Sequence, residues 1–146
     1  MNKEIKHVWF FSHPPEVIWE FLTSSELLGQ WLMKNDFKPI VGQKFMFRSG
    51  PYPALEFDGN IYCEVLEVLP LQKLSYSWKY GPAQGVTIVD SIVVWTLMSK
   101  DGGTELILEH TGLKEDNIPM HYQALNTGWQ TNVDKIKVLL STKYQK

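Results

Sequence analysis

The chain has 146 residues, too few for two independent cores and enough for one that needs neither disulfide nor metal. Fourteen Lys and Arg stand against sixteen Asp and Glu, a net charge of −2 without any basic run, which excludes the electrostatic footprint of a nucleic-acid binder. The lone cysteine, Cys63, excludes an internal disulfide and a multi-thiolate metal centre. No apolar stretch reaches the ~20 residues of a membrane span, and Met1–His7 lacks the apolar core of a secretory signal, so the expectation is a cytoplasmic protein.

Residues 3–11 read as a strand, with Ile5, His7, Trp9 and Phe11 on one face and Lys6, Val8 and Phe10 on the other. Ser12 to Glu16 stops it, and the paired prolines suit the first turn of a helix running to Leu22. Thr23-Ser24-Ser25-Glu26 has the form of a capping box, opening a second short helix through Leu27, Leu28, Trp31 and Leu32. From Phe37 to Leu113 the punctuation is that of an antiparallel meander. Strands are expected over 44–48, 56–69, 73–80, 86–99 and 104–111, with Ser49–Pro53 too rich in Gly and Pro for a strand interior. Lys100-Asp101-Gly102-Gly103 is a hairpin signal.

The last segment determines the architecture. From about Ile118 to Thr142, Tyr122, Leu125, Trp129, Val133, Ile136 and Leu140 recur at spacings of three and four, while Gln123, Thr127, Thr131 and Asp134 lie off that stripe. Glu115 and Asp116 before it, and Lys135, Lys137 and Lys143 toward its end, complement a helix dipole. Such a helix is about 37 Å long and crosses a whole small sheet. The expected fold class is α+β of the helix-grip, START-like type, one domain over residues 1–146. A curved antiparallel sheet of about six strands wraps a long C-terminal helix, with two short helices after the first strand.

The order of motifs resembles single-domain relatives of the activator of heat-shock-protein-90 ATPase, a branch of the START/SRPBCC superfamily. The resemblance runs through Pro15–Thr23 and Glu26–Trp31, then Gly59 and Val65–Pro70, then Leu74–Trp78 and Val93–Leu97. It continues through Gly103–Leu106 and Leu108–Gly112 to Gly128-Trp129. It implies a helix-grip fold with a cavity between sheet and last helix. It hands over no catalytic motif, because the superfamily spans lipid carriers, cyclases and co-chaperone domains.

The residues themselves offer little chemistry. His7, His13, His110 and His121 are scattered singly, without the i, i+4 pairing of a zinc helix, so no metal or cofactor is expected. Glu64, Glu67, Asp90 and Glu109 alternate toward solvent, Cys63 reads as an inert buried thiol, and no catalytic residue is assigned. The aromatics, 13% of the chain, are the better candidates for a ligand site. Trp9, Phe11, Trp78, Tyr80 and Trp95 come from strands, with His110 beside them. Tyr122, Leu125, Trp129 and Val133 come from the helix, and Trp31 closes one end. The loop carrying Tyr52 and Leu55 is the candidate entrance. The leading expectation is a binding protein for a small hydrophobic or aromatic molecule. The alternatives are a protein-interaction module, as chaperone partner or homodimer, and a cyclase or dehydratase built on His110 with an acid.

Overall fold

A computed structural model describes residues 2–114 and 120–143. β1 (Asn2–Phe11) is followed by α1 (Pro15–Thr23), α2 (Ser25–Trp31) and a two-residue β2 (Lys34–Asn35). Then come β3 (Lys44–Arg48), a 3-10 turn (Pro53–Leu55), β4 (Asn60–Leu69), β5 (Lys73–Tyr80), β6 (Val89–Lys100), β7 (Gly103–Lys114) and α3 (Met120–Lys143). All strands join one antiparallel sheet in the order β1-β7-β6-β5-β4-β3-β2. The helix-grip class is therefore as expected, with α3 seated on the face that carries the buried aromatics.

Local chemistry explains the boundaries. Ile5, Trp9 and Phe11 are buried and Lys6, Val8 and Phe10 exposed, the period-two pattern of a strand with one face on the core. Asp101 and Gly102 both take positive φ, 49° and 78°, which makes the β6–β7 connection the kind of tight turn that matches strand twist. The strand expected from residue 56 starts only at Asn60. Before it Glu56 enters the left-handed region, Tyr52 pairs with Phe57, and the Asp58 carboxylate accepts the Asn60 N–H at 2.9 Å. Likewise β6 begins at Val89 rather than 86, because Ala83 and Val86 close a turn first. The sheet has seven strands rather than about six, the seventh being β2 against Lys34↔Arg48 and Asn35↔Phe47. Two residues carry no periodicity to read. The expected helix start at Ile118 and the acids Glu115 and Asp116 lie outside the described residues.

The core runs from α1 and α2 across the sheet to α3. Phe21, Trp31, Phe47, Leu74, Trp95, Leu108 and Ile136 are all buried within it. The Trp31 indole donates to the Phe21 carbonyl at 2.8 Å, which fixes the two short helices to each other without leaving a buried donor unpaired. Among the described residues no helix is long and apolar enough to cross a membrane.

The cap of α2 differs from the expected one. Ser24, not Thr23, is the N-cap, its hydroxyl accepting from the Leu27 N–H at 3.3 Å, while Thr23 Oγ1 donates back to the Trp19 carbonyl at 2.8 Å. Loss of a capping oxygen leaves a helix N–H without its partner, whereas a hydroxyl bonded to a carbonyl already inside a helix adds little. Ser24→Ala should cost about 1 kcal/mol in urea unfolding, and Thr23→Val markedly less. A larger loss for Thr23→Val than for Ser24→Ala would mean that the cap sits one residue earlier.

Candidate functional site

Five indoles form a continuous array across the sheet–helix interface. Trp95 of β6 has Trp9, Trp31 and Trp129 around it at ring separations of 6.4, 6.0 and 5.4 Å, and Trp78 of β5 meets Trp129 at 5.0 Å. Edge-to-face and tilted contacts of this kind match ring edges to ring faces. The Trp95 N–H donates to the Tyr76 hydroxyl at 3.0 Å.

His110 lies inside this array, and its tautomer follows from its partners. An indole N–H can only donate, so the Trp129 Nε1–H bond of 3.0 Å makes His110 Nδ1 an acceptor. In a neutral ring the proton then sits on Nε2, which donates to Ser91 Oγ at 2.7 Å. Ser91 in turn donates to the Trp78 carbonyl at 2.9 Å. The result is a one-way relay from α3 through β7 and β6 to β5, with every polar atom used. Burial holds the His110 pKa down at about 3, so the ring is neutral. His110 meets a hydroxyl and an indole rather than an acid. The His–acid pair on which the cyclase alternative depends does not form.

Beside the array lies a cavity of about 440 Å³. Leu32 and Met33, after α2, form one end. Ser49, Gly50, Pro51, Tyr52, Leu55 and Phe57 contribute the β3–β4 connection. Ile61, Trp78 and Tyr80 form the sheet wall, and Ala124, Leu125, Gly128, Trp129 and Asn132 the helix wall. Of the residues expected at a ligand site, Trp78, Tyr80, Leu125 and Trp129 line this space, together with the loop residues Tyr52 and Leu55. Trp9, Phe11, Trp31, Trp95, His110 and Val133 do not line it. They are buried, packed against one another and against α1 and α2, and fill the volume that an extended cavity would need. Tyr122 is also outside the lining, its hydroxyl reaching the Glu4 carbonyl at 3.4 Å.

The residues missed from sequence are informative. Ala124, Gly128 and Asn132 stand four apart, one ridge of α3 adjacent to the ridge Leu125, Trp129 and Val133. A Cβ added at Gly128 would meet nothing within 4 Å. Small residues in a helical row beside an apolar stripe were a readable signal of missing packing.

At the other wall the Tyr80 hydroxyl and His121 Nδ1 lie 2.7 Å apart, tying β5 to the first turn of α3. Burial pushes the Tyr80 phenol well above its ordinary range and lowers His121, an effect that nearby Glu56 opposes. Both groups are therefore neutral around pH 7. Cys63 is buried and its thiol is pushed up by burial first and by Asp36 second, the opposite of an activated nucleophile. Glu67 pairs with Lys73 at 3.0 Å on the outer side of the sheet. Among the described residues no group of His, Cys, Asp or Glu gathers that could hold a metal.

The relay carries a pH signature. A histidine whose folded pKa is lowered stabilises the fold fully above its unfolded pKa of about 6.5, and that contribution is lost as pH falls toward the folded value of about 3. His121 acts in the same sense. Denaturant midpoints measured from pH 7 to pH 4 should fall more steeply for the natural chain than for His110→Asn, by up to about 1.4 kcal/mol per pH unit. Parallel slopes would show that His110 has the same pKa in the fold as in the unfolded chain.

Comparison with known proteins places this architecture. The family model described as Activator of Hsp90 ATPase homolog 1-like protein matches residues 12–141. Protein MLL2253 from Mesorhizobium loti is similar in structure with a TM-score of 0.85 and 34% identity, covering 97% of this chain and 98% of that one. The Aha1 dimer from Colwellia psychrerythraea gives a TM-score of 0.75 at 19% identity over 92% and 93% of the two chains. CalU16 from Micromonospora echinospora gives 0.75 at 21% over 96% and 77%. No curated protein matches the chain.

Proposed function

The chain belongs to the Activator of Hsp90 ATPase homolog 1-like family, and from that premise and the geometry of its cavity we propose that it binds a small hydrophobic or aromatic molecule between sheet and C-terminal helix, in the cytoplasm, without transforming it. The observation that carries this reading is the space of about 440 Å³ walled by Trp78, Tyr80 and Trp129 and roofed over Gly128. It falls within the range of small-molecule sites, and its walls are the flat apolar surfaces that such sites use. A binding role rather than catalysis is supported by the spent state of the polar groups. His110 has both nitrogens engaged, and a phenol raised like that of Tyr80 is a poor proton donor near neutrality. A free, buried Cys63 suits a reducing compartment.

N-phenyl-1-naphthylamine, an uncharged probe that fluoresces in apolar surroundings, should bind saturably with one site per chain. Gly128→Phe should weaken it at least about tenfold by filling the space, without loss of helical signal. Gly128→Ala, by contrast, should raise stability by up to about 1 kcal/mol, the usual gain over a helix-interior glycine. A probe indifferent to Gly128→Phe would remove the cavity from the reading.

A second reading, self-association, has its own support. On the outer face of the sheet Phe10 and Met98 are 44% and 52% exposed on either side of Glu105, and Val8 at 53% lies opposite Ile107. The Colwellia psychrerythraea relative was solved as a dimer. If this patch joins two copies, sedimentation should give twice the 16.9 kDa chain mass, and Phe10→Glu should return it to one. A natural chain sedimenting at the single mass would end this reading and leave the cavity untouched. Chaperone binding, the other partner suggested by the resemblance, has no comparable feature supporting it.

A further inference from the structure

The cavity's chemistry narrows what it can hold, an inference that rests on reading that cavity as a ligand site. Among the described residues no Asp, Glu, Lys, Arg or His lines it. The two ionisable side chains that do, Tyr52 and Tyr80, are phenols, and burial holds Tyr80 in its neutral form. An ion taken from water into such a space would find no counter-charge, and the cost of desolvating it would go uncompensated.

The helix wall is not uniformly apolar. Asn132 is half-buried there, one turn after Gly128, in the interior of α3. Asparagine is a poor helix former. Its amide offers one acceptor and two donors, and no described residue hydrogen-bonds to it. The unpartnered Asn132 amide on the wall of an otherwise apolar space favours an oxygen on the molecule that it meets. The bare ridge at Gly128 leaves open space beside the Trp78 and Trp129 rings, which pack on each other 5.0 Å apart and offer a flat ring system apolar surface to lie against.

We propose that the ligand is an uncharged, planar, aromatic or polyunsaturated molecule bearing a carbonyl or hydroxyl at one edge. Asn132 receives that oxygen, and Gly128 admits the ring. Asn132 is thereby the specificity-determining residue of the site.

Three probes of one ring system separate the possibilities: 2-acetonaphthone, 2-naphthoate and naphthalene, titrated at pH 7 while the indole N–H resonances of the full chain are followed by nuclear magnetic resonance. The ketone should bind about tenfold or more tightly than either the carboxylate or the bare hydrocarbon. Asn132→Leu, close in volume and better in a helix, should abolish the ketone's advantage over naphthalene, bringing the two affinities to within about twofold of each other. The naphthoate binding as well as the ketone would overturn the inference, as would a preference for the ketone that survives Asn132→Leu. In both cases the cavity would stand as a ligand site. Failure of all three probes to bind would instead sink the ligand-site reading itself.

Discussion

The position of α3 depends on one hydrogen-bonded chain. Trp129 donates to His110, His110 to Ser91 and Ser91 to the backbone of Trp78, so that a helix and three strands are joined through buried polar atoms. Apolar burial alone would hold a helix on a sheet, but it is non-directional and would allow it to slide or rotate by a fraction of a turn. The relay has a direction, because indole can only donate and a carbonyl can only accept. Its members therefore align only when Trp129 faces Trp78 and Trp95. The helix register that results is also the one that turns the Ala124, Gly128 and Asn132 ridge toward Ile61, Trp78 and Tyr80. Anchor and cavity are two consequences of the same rotation of α3.

Why the space stays open follows from the division of labour between adjacent ridges. Trp129, Val133, Ile136 and Leu140 are buried and supply the burial that holds α3 down. The neighbouring row supplies almost none, and the sheet opposite it presents rigid rings that cannot collapse inward to compensate. Trp78 is held by Phe47 at 5.5 Å and by Trp129, and Tyr80 by Phe57 at 5.2 Å and by His121. Native interiors close gaps where flexible side chains can reach them. Here the candidates for closing it are fixed on both sides.

The architecture was legible because it is written in long periodic segments. Strand alternation over Ile5–Phe11 and the three-four spacing from Tyr122 to Leu140 each repeat a signal several times, and Asp101-Gly102 marks the tight turn between β6 and β7. The site was half legible. Trp78, Tyr80, Leu125 and Trp129 announce themselves as large apolar surfaces, and the Gly- and Pro-rich run around Tyr52 as an irregular loop. Sequence does not say which of many aromatic rings pack on each other and which face empty space. That depends on strand register and helix rotation together, and both change a residue's partners with one step of slip. So Trp9, Trp31 and Trp95, chemically as suitable as Trp78, belong to the packed array. His110, readable as a candidate acid–base group, proves to be a structural link. The two-residue β2 is settled by two pairings with β3 and the shift of the α2 cap to Ser24 by one hydrogen bond, none of which any periodicity reports.

A cavity can be a flaw in packing or a feature maintained against the pull of stability, and α3 distinguishes the two. Glycine within a helix costs about 1 kcal/mol relative to alanine and asparagine somewhat less, and neither cost is recovered through packing where they face open space. At Gly128 no steric demand for glycine exists, since a Cβ there would touch nothing and no positive φ is required. Two unfavourable choices on one ridge, four residues apart and lining the same space, are consistent with the ligand site proposed above. A packing flaw would need only one substitution to close, and would be closed at a gain. The arrangement is intelligible if the free energy forgone in the empty helix is returned when the space is filled, since whatever binds the folded chain alone stabilises it by mass action. The stability of the sheet–helix interface and the occupancy of the cavity are then linked through the same residues, with Trp129 belonging to both.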